Sequence, residues 1–171
     1  PGAPAANRRA ITVRGVAAPA GLHPEWGVNA IQLAAQGLNA APIGRVDEES
    51  TVNFGTIKGG TATNIVPDQV TIHGEARSHN TATLDSLTRQ IEDAFARVVA
   101  ACNDPSGQAK GKPELSFTVT PDFPAMRLNQ DDPALRLIDR AAASIGLQLE
   151  YKVAGGGSDA NLFTTDRRGS L

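Results

Sequence analysis

The sequence is poor in the residue types that several common function classes need. A single cysteine, Cys102, excludes an internal disulfide and a cysteine-rich metal site. Aromatic residues make up 4% of the chain and its net charge at pH 7 is −2, so nucleic acid is not an expected partner. No apolar run approaches the roughly 20 residues of a membrane span, and the first ten residues lack an apolar signal core. A cytoplasmic chain without a membrane partner is therefore expected.

Enough apolar residues are present, 40% of the chain, to bury a core. Residues 1–9 are rich in proline, alanine and glycine, which predicts a linker. Because the sequence shows no start methionine, we expect a fragment or a processed product.

Apolar periodicity predicts an α+β fold. Alternation predicts strands and a 3.6-residue repeat predicts helices, and together they follow the order βαββαβ. This is the ferredoxin-like, split βαβ order, in which two helices cover one face of a four-stranded antiparallel sheet. The predicted strands are 10–17, 51–57, 69–78 and 114–121, and the predicted helices are 25–39 and 81–102.

The remainder of the chain does not extend this unit. After a connector, the residue pattern predicts a helix over 132–145, a strand over 147–153, a glycine turn over 154–158 and a helix from 159 to 165. This is part of a separate α/β layer that is too short to close a sheet by itself.

A polar loop joins the two central strands. Gly59 and Gly60 break the first strand, and the loop GGTATN then presents backbone N–H groups, hydroxyls and the amide of Asn64. Such donors can bind an anion or an oxyanion. The alternative is a long hairpin loop without a ligand.

Five segments resemble the family of di-zinc peptidases and deacylases that includes tripeptidase T, carboxypeptidase G, aminoacylase and succinyl-diaminopimelate desuccinylase. They are GVAAPAG with PEWGVNAI (15–21 and 24–31), NFGTIKGGTATNIVPD (53–68), EAR (75–77) and GGGSDAN (155–161). Their order and spacing are those of the family, and the tripeptidase T-like branch is the most similar.

The resemblance implies a domain division. Residues 10–122 would be the lid, or dimerisation, domain, and residues 123–171 the part of the chain that returns to the catalytic domain. Full-length members hold two zinc ions with His, Asp and Glu ligands, and a Glu acts as general base.

This chain contains none of the upstream ligand segments of that family. Its three histidines, His23, His73 and His79, are scattered over a loop, a strand and a strand end. We therefore expect no metal site, no cofactor and no catalytic residue within this chain, which should hydrolyse nothing alone.

The lid of the family supplies substrate-binding groups. Arg77 occupies the position of an arginine that grips a substrate carboxylate, although a solvated strand-end arginine is the alternative. Asn64 corresponds to a loop asparagine that reaches the partner subunit's active site, although it could instead cap a turn. Gly59 and Gly60 would shape the backbone of that loop.

One position departs from the family. Where the family reads AAHAG, with a histidine that donates to the neighbouring oxyanion, this chain has Pro19, which cannot donate. His23, four residues on, is a possible substitute.

The second glycine-rich segment contains three further candidates. Ser158, Asp159 and Asn161 match a turn near the catalytic pocket, and helix capping is their alternative role.

Three functions remain open. The first is a fragment of a zinc-dependent peptidase that cleaves small peptides or N-acyl amino acids, with a homodimer through the lid, the remaining catalytic domain and a peptide substrate as partners. The second is a non-catalytic dimerisation module. The third is a ferredoxin-like domain that binds a small anion.

Overall fold

The structure is a computed structural model of the 171-residue chain, and it describes residues 1–102 and 107–166. The strands are β1 Gly2–Ala3, β2 Ala5–Arg14, β3 Ala18–Pro19, β4 Gly44–Arg45, β5 Ser50–Gly59, β6 Ile65–Val66, β7 Gln69–Ser78, β8 Glu114–Phe123 and β9 Met126–Arg127. The helices are α1 Ala30–Ala40, α2 Thr81–Ala100, α3 Pro133–Ser144 and α4 Ala160–Asp166, with a 3-10 turn at Pro24–Trp26.

The main sheet confirms the predicted ferredoxin-like topology. Its strand order is β4-β5-β7-β2-β8, and every pair of neighbours is antiparallel. The two-residue strand β4 pairs with the start of β5 and makes the sheet five-stranded instead of four-stranded. Two smaller pairs lie outside this sheet, β1 with β9 and β3 with β6.

Both helices of the split βαβ unit pack on one face of the sheet. Alternate residues of β2 and β7, including Ile11 and Ile72, are fully buried beneath α1 and α2. Leu87 and Phe95 of α2 complete this core. The side chain of Asn80 accepts hydrogen bonds from the first turn of α2, which fixes where that helix begins.

The predicted linker at residues 1–9 is wrong as local structure. Residues 5–9 belong to β2 and pair with β7, and residues 6–9 pair with β8 as well. Ala5, Ala6 and Arg9 are buried. Alanine has a low strand propensity, so composition alone favoured a loose segment where long-range pairing makes a central strand.

The predicted strand at 147–153 is also wrong. Only Val153 makes a bridge, in parallel with Gly2, and no strand forms across that range. A strand needs the backbone groups of a neighbour, and among the described residues only Gly2 offers them here.

Helices α3 and α4 confirm the two helices predicted near the end of the chain. The last five residues of the predicted 123–171 segment lie outside the described residues. The domain boundaries themselves stay a prediction. Over the described residues, no helix has both the length and the apolar character for crossing a membrane.

Candidate functional site

Arg77 lies near the end of β7 on the face of the sheet that the helices do not cover. Its Nε donates to Oε1 of Glu75 at 2.9 Å and its Nη2 donates to Oε2 at 3.2 Å. Residues i and i+2 of a strand share a face, so the strand itself places this carboxylate beside the guanidinium. Glu75 thereby fixes the plane of the guanidinium and leaves its Nη1 edge turned away from the pair.

A cavity of about 390 Å³ opens beside Arg77. Gly155 from the glycine-rich turn also lines this cavity, next to Arg77, whose Nη1 donates to the Gly155 carbonyl oxygen at 3.5 Å. The fold therefore brings two sequence-predicted segments together although 78 positions separate them. The wall also contains charged or titratable side chains that sequence analysis had not selected: Arg45, Glu48, Glu49 and His79.

The turn at 155–161 is built by its own side chains. The backbone N–H of Ser158 donates to Oδ1 of Asn161 at 3.0 Å, and the N–H of Ala160 donates to Oγ of Ser158 at 3.3 Å. Ser158 thus caps the start of α4, which was the structural alternative for this residue. Asp159 is exposed, whereas Asn161 is fully buried.

The predicted loop between β5 and β7 lies at the other end of the same hairpin. Gly60 has φ +76°, a conformation that other residues adopt only with strain. A Cβ at Gly59 would lie 2.6 Å from the backbone oxygen of Gln69. Glycine is therefore needed at position 59 because the neighbouring backbone is so close. The side chain of Asn64 is exposed, and its backbone oxygen accepts from the N–H of Ala20 at 2.9 Å.

His23 lies near Asn64, next to the small sheet of β3 and β6. Pro19 pairs with Ile65 in the small β3–β6 sheet, and the Pro19 backbone oxygen accepts from the N–H of His23 at 3.0 Å. Nδ1 of His23 lies 3.0 Å from Oε1 of Glu25. Backbone hydrogen bonding at Glu25, followed by the His23 side chain, lowers the pKa of this carboxyl.

An aromatic stack holds the His23 ring, and sequence analysis missed it. The imidazole stacks on Trp26 with 3.7 Å between ring centroids, and Nζ of Lys110 lies 3.4 Å from the centre of a Trp26 ring. The spacing of His23, Glu25 and Trp26 was visible in the sequence, whereas Lys110 arrives from beyond α2.

The candidate residues therefore form two groups that do not meet within one chain. Arg77 and the glycine turn lie at one end of the β5–β7 hairpin, whereas Gly59, Gly60, Asn64 and His23 lie at the other. The seven residue steps from Val70 to Arg77 along β7 correspond to roughly 24 Å. A substrate as small as a tripeptide cannot span that distance.

Metal ligands are not assembled in the part of the chain that the structure describes. No three His, Cys, Asp or Glu side chains in it come close enough together to hold a metal ion. The described residues therefore do not fit the two-zinc site that the resemblance implies for full-length enzymes.

Known proteins resemble this chain over most of its length. Residues 7–101 match the family profile described as the peptidase dimerisation domain, M20_dimer. The uncharacterized protein YqjE of Bacillus subtilis (strain 168) is 36% identical over 161 residues, which are 94% of this chain and 41% of that protein.

Solved structures share the fold. Aminopeptidase PepT from Bacillus cereus is 34% identical with a TM-score of 0.83, and the match covers 96% of this chain and 42% of that one. A tripeptidase from Staphylococcus aureus is 30% identical with a TM-score of 0.84, over 97% and 42% of the two chains. At 20% identity and a TM-score of 0.63, a dinuclear metal binding peptidase of the M20 family from Bacillus subtilis supports the fold alone. The chain thus spans about two fifths of the length of the proteins it matches.

Proposed function

The chain belongs to the M20 peptidase family and carries its dimerisation domain, and on that premise we propose that the whole protein hydrolyses amide bonds in small peptides or N-acyl amino acids. Tripeptides are the first substrates to test, because a tripeptidase and an aminopeptidase PepT are among the similar structures. In this proposal, residues 10–122 act as the lid and residues from 123 onward belong to the catalytic domain.

The arrangement around Arg77 carries the proposal. A guanidinium fixed by Glu75 at the wall of a cavity is oriented before any ligand arrives. Its Nη1 edge then presents N–H donors in the fork that a planar carboxylate accepts. We propose that this edge binds the terminal carboxylate of the substrate, with the glycine turn shaping the adjoining part of the wall.

Zinc chemistry would have to come from elsewhere in the protein. We propose that the two zinc ions and the general base are supplied by residues outside these 171 positions, and that this chain alone is inactive. The described residues of this chain would contribute binding and assembly. The cytoplasm remains the expected location.

We assign the second group of candidates to the partner subunit's active site. Gly59 and Gly60 shape the loop that presents Asn64, and the exposed Asn64 amide lies too far from Arg77 of its own chain to act on the same substrate. His23, held by Glu25 and Trp26, would donate there in place of the histidine that Pro19 replaces. A homodimer is therefore part of the proposal.

The function is tested with the full-length protein and zinc, by following the release of new amino groups from tripeptides and from N-acyl amino acids. We expect hydrolysis by the wild type and, in Arg77→Ala, a KM that is roughly ten- to a hundredfold higher because charge-assisted hydrogen bonds to the carboxylate are lost. Arg77→Lys should recover only part of the loss, since it keeps the charge but not the fork.

Arg14→Ala is the matched control. Arg14 lies on the same face of the sheet, at the end remote from Arg77, where its Nη1 donates to Gln69 at 2.9 Å. The Arg14→Ala variant should leave KM unchanged. Equal effects of the two alanine variants would refute the role of Arg77, and a wild type that hydrolyses neither substrate class would refute the peptidase itself. Binding of amino acids without hydrolysis would favour the anion-binding alternative.

A further inference from the structure

The chain enters and leaves the five-stranded sheet at two neighbouring points. Pro4 lies between β1 and β2, and Pro124 lies between β8 and β9. Because β1 pairs with β9 outside that sheet, these two crossings run side by side. If the sheet changes its orientation relative to the segment beyond β9, the backbone at these two crossings must move.

One buried side chain bonds to both crossings. Nδ2 of Asn161 donates to the backbone oxygen of Pro4 at 3.2 Å and to that of Pro124 at 2.7 Å. Its Oδ1 accepts from the N–H of Ser158 at 3.0 Å. Asn161 has 0% relative exposure, so these bonds form away from solvent, where an unsatisfied polar group is costly. Only an amide offers two donors and an acceptor in so small a side chain.

The turn that Asn161 closes is also in contact with the sheet. The Gly155 oxygen lies 3.5 Å from Nη1 of Arg77. A Cβ at Gly157 would lie 2.2 Å from Cε2 of Phe123, the last residue of β8. The glycine turn is therefore held by Asn161 at one end and against the sheet at Arg77 and Phe123.

We propose that Asn161 is a positioning residue that ties the two crossings to the glycine turn and thereby sets Gly155 beside Arg77 in the cavity wall. Asn161 itself does not touch the substrate. This inference rests on the proposed function where it concerns the substrate, and on the hydrogen bonds alone where it concerns the crossings. The two parts are tested separately.

The crossings are tested by amide hydrogen exchange of the full-length protein, which needs no activity. The N–H of Leu128 donates to Pro1, and the N–H of Ala154 donates to Gly2, so both amides report on the crossings. In Asn161→Asp the acceptor for Ser158 is kept and the two donors are lost. We expect Leu128 and Ala154 to exchange at least about tenfold faster, and Ser158 to change little.

Two further variants make this result specific. Asn161→Ala removes the acceptor as well, so the Ser158 amide should also exchange faster; if this variant does not fold, the aspartate variant alone decides. Asn29→Ala is the control, because the Asn29 side chain accepts from Gln32 at the start of α1 and its loss destabilises the protein elsewhere. It should leave Leu128 and Ala154 as in the wild type. Unchanged exchange of both amides in Asn161→Asp would overturn the proposal.

The cavity is tested by the preference for a free carboxylate, measured as the ratio of kcat/KM for a tripeptide to that for its C-terminal amide. A merely destabilised protein loses activity on both substrates equally. Asn161→Asp should lower the ratio about three- to tenfold, Arg77→Ala should abolish the preference, and Asn29→Ala should leave it unchanged. A wild-type ratio of one would refute the proposed role of Arg77 while the exchange result still decides whether Asn161 holds the crossings. A wild-type ratio well above one that persists in Asn161→Asp would overturn the positioning role.

Discussion

Arg9 has an environment that conflicts with its charge. The residue lies on the helix-covered face of β2 with 2% relative exposure. Its Nη2 donates to Oγ1 of Thr88 at 3.1 Å, whereas Nε and Nη1 are buried and have no hydrogen-bond partner among the described residues. Burial lowers the pKa of Arg9 to about 10. A buried cation without a carboxylate lowers the stability of the fold.

Arg9→Met should therefore stabilise the protein. Methionine fills a similar volume without buried donors, and we expect the free energy of unfolding to rise by about 1 kcal/mol. Denaturant unfolding of the full-length protein measures it. Arg8→Met is the control on the opposite face of the same strand, where an exposed ion pair with Asp122 is lost and the change should stay within about 0.5 kcal/mol.

The pH dependence of the unfolding free energy tests whether burial of the Arg9 charge causes this gain in stability. Above pH 10 the folded state loses the Arg9 proton before the unfolded state does, so the unfolded state binds more protons and stability rises with pH. The advantage of Arg9→Met over the wild type should therefore be constant below about pH 9 and shrink above pH 10. An advantage that stays constant up to pH 11 would show that charge burial is not its cause.

At the level of elements, the contact between α1 and α2 depends on a glycine. A Cβ on Gly37 would lie 2.4 Å from Cδ1 of Phe95, and that ring is 1% exposed in the core. Phe95 also packs edge-on against Phe54, with 6.4 Å between the ring centroids. The helices approach this closely only because position 37 has no side chain.

Gly37→Ala should destabilise the protein, against the usual trend for helices. In an exposed helix the change would stabilise by up to about 1 kcal/mol through helix propensity, but here the methyl group overpacks the core at a cost of roughly 1–3 kcal/mol. Thermal unfolding measures the difference. Gln36→Ala, at the exposed neighbouring position, should be neutral or slightly stabilising. A higher Tm for Gly37→Ala would mean that the two helices can move apart without loss.

On the scale of the whole molecule, one sheet edge is suited to pairing with a second copy. Strand β4 covers only Thr51 and Val52 of β5, so from Asn53 to Gly59 the edge has no ladder partner among the described residues. Ile57 of this edge is 53% exposed and Ile31 of α1 is 45% exposed. An unpaired edge beside exposed apolar side chains favours strand addition between copies.

Ile57→Lys should weaken the proposed homodimer. A lysine on an edge strand opposes pairing, and we expect the dimer dissociation constant to rise at least about tenfold. Sedimentation of the full-length protein over a concentration series measures it. Thr118→Lys, on the opposite edge strand β8, is the control and should leave the dimer intact. The reverse pattern would place the interface at β8, and a wild-type monomer at all concentrations would refute the homodimer.

The second part of the chain also exposes apolar residues. Leu137 and Ile138 of α3, Ile145 after it, and Phe163 of α4 are 48–77% exposed. The relative YqjE is more than twice as long as this chain. We propose that protein sequence outside these 171 positions packs against these side chains. Their exposure then has no bearing on the homodimer.

The sequence by itself determined the elements whose apolar repeat is long. The alternation of Val70, Ile72 and Gly74 predicted β7 at its observed bounds of 69–78, and the apolar stripe from Leu84 to Val99 predicted α2, because strand and helix repeats are local properties of the backbone. The order of these elements was then sufficient for the ferredoxin-like topology. The pair Gly59 and Gly60 was interpreted as a break that needs positive φ, which is correct for Gly60 but not for Gly59, the last residue of β5.

Only the tertiary structure decided which distant residues meet. It joined Arg77 to Gly155, placed Lys110 on Trp26, buried Arg9 and brought Asn161 to Pro4 and Pro124. None of these contacts has a local signal, because side chains far apart in sequence are brought together by strand pairing and helix packing. The strand predicted at 147–153 failed for the same reason, since a strand exists only where another backbone completes its hydrogen bonds.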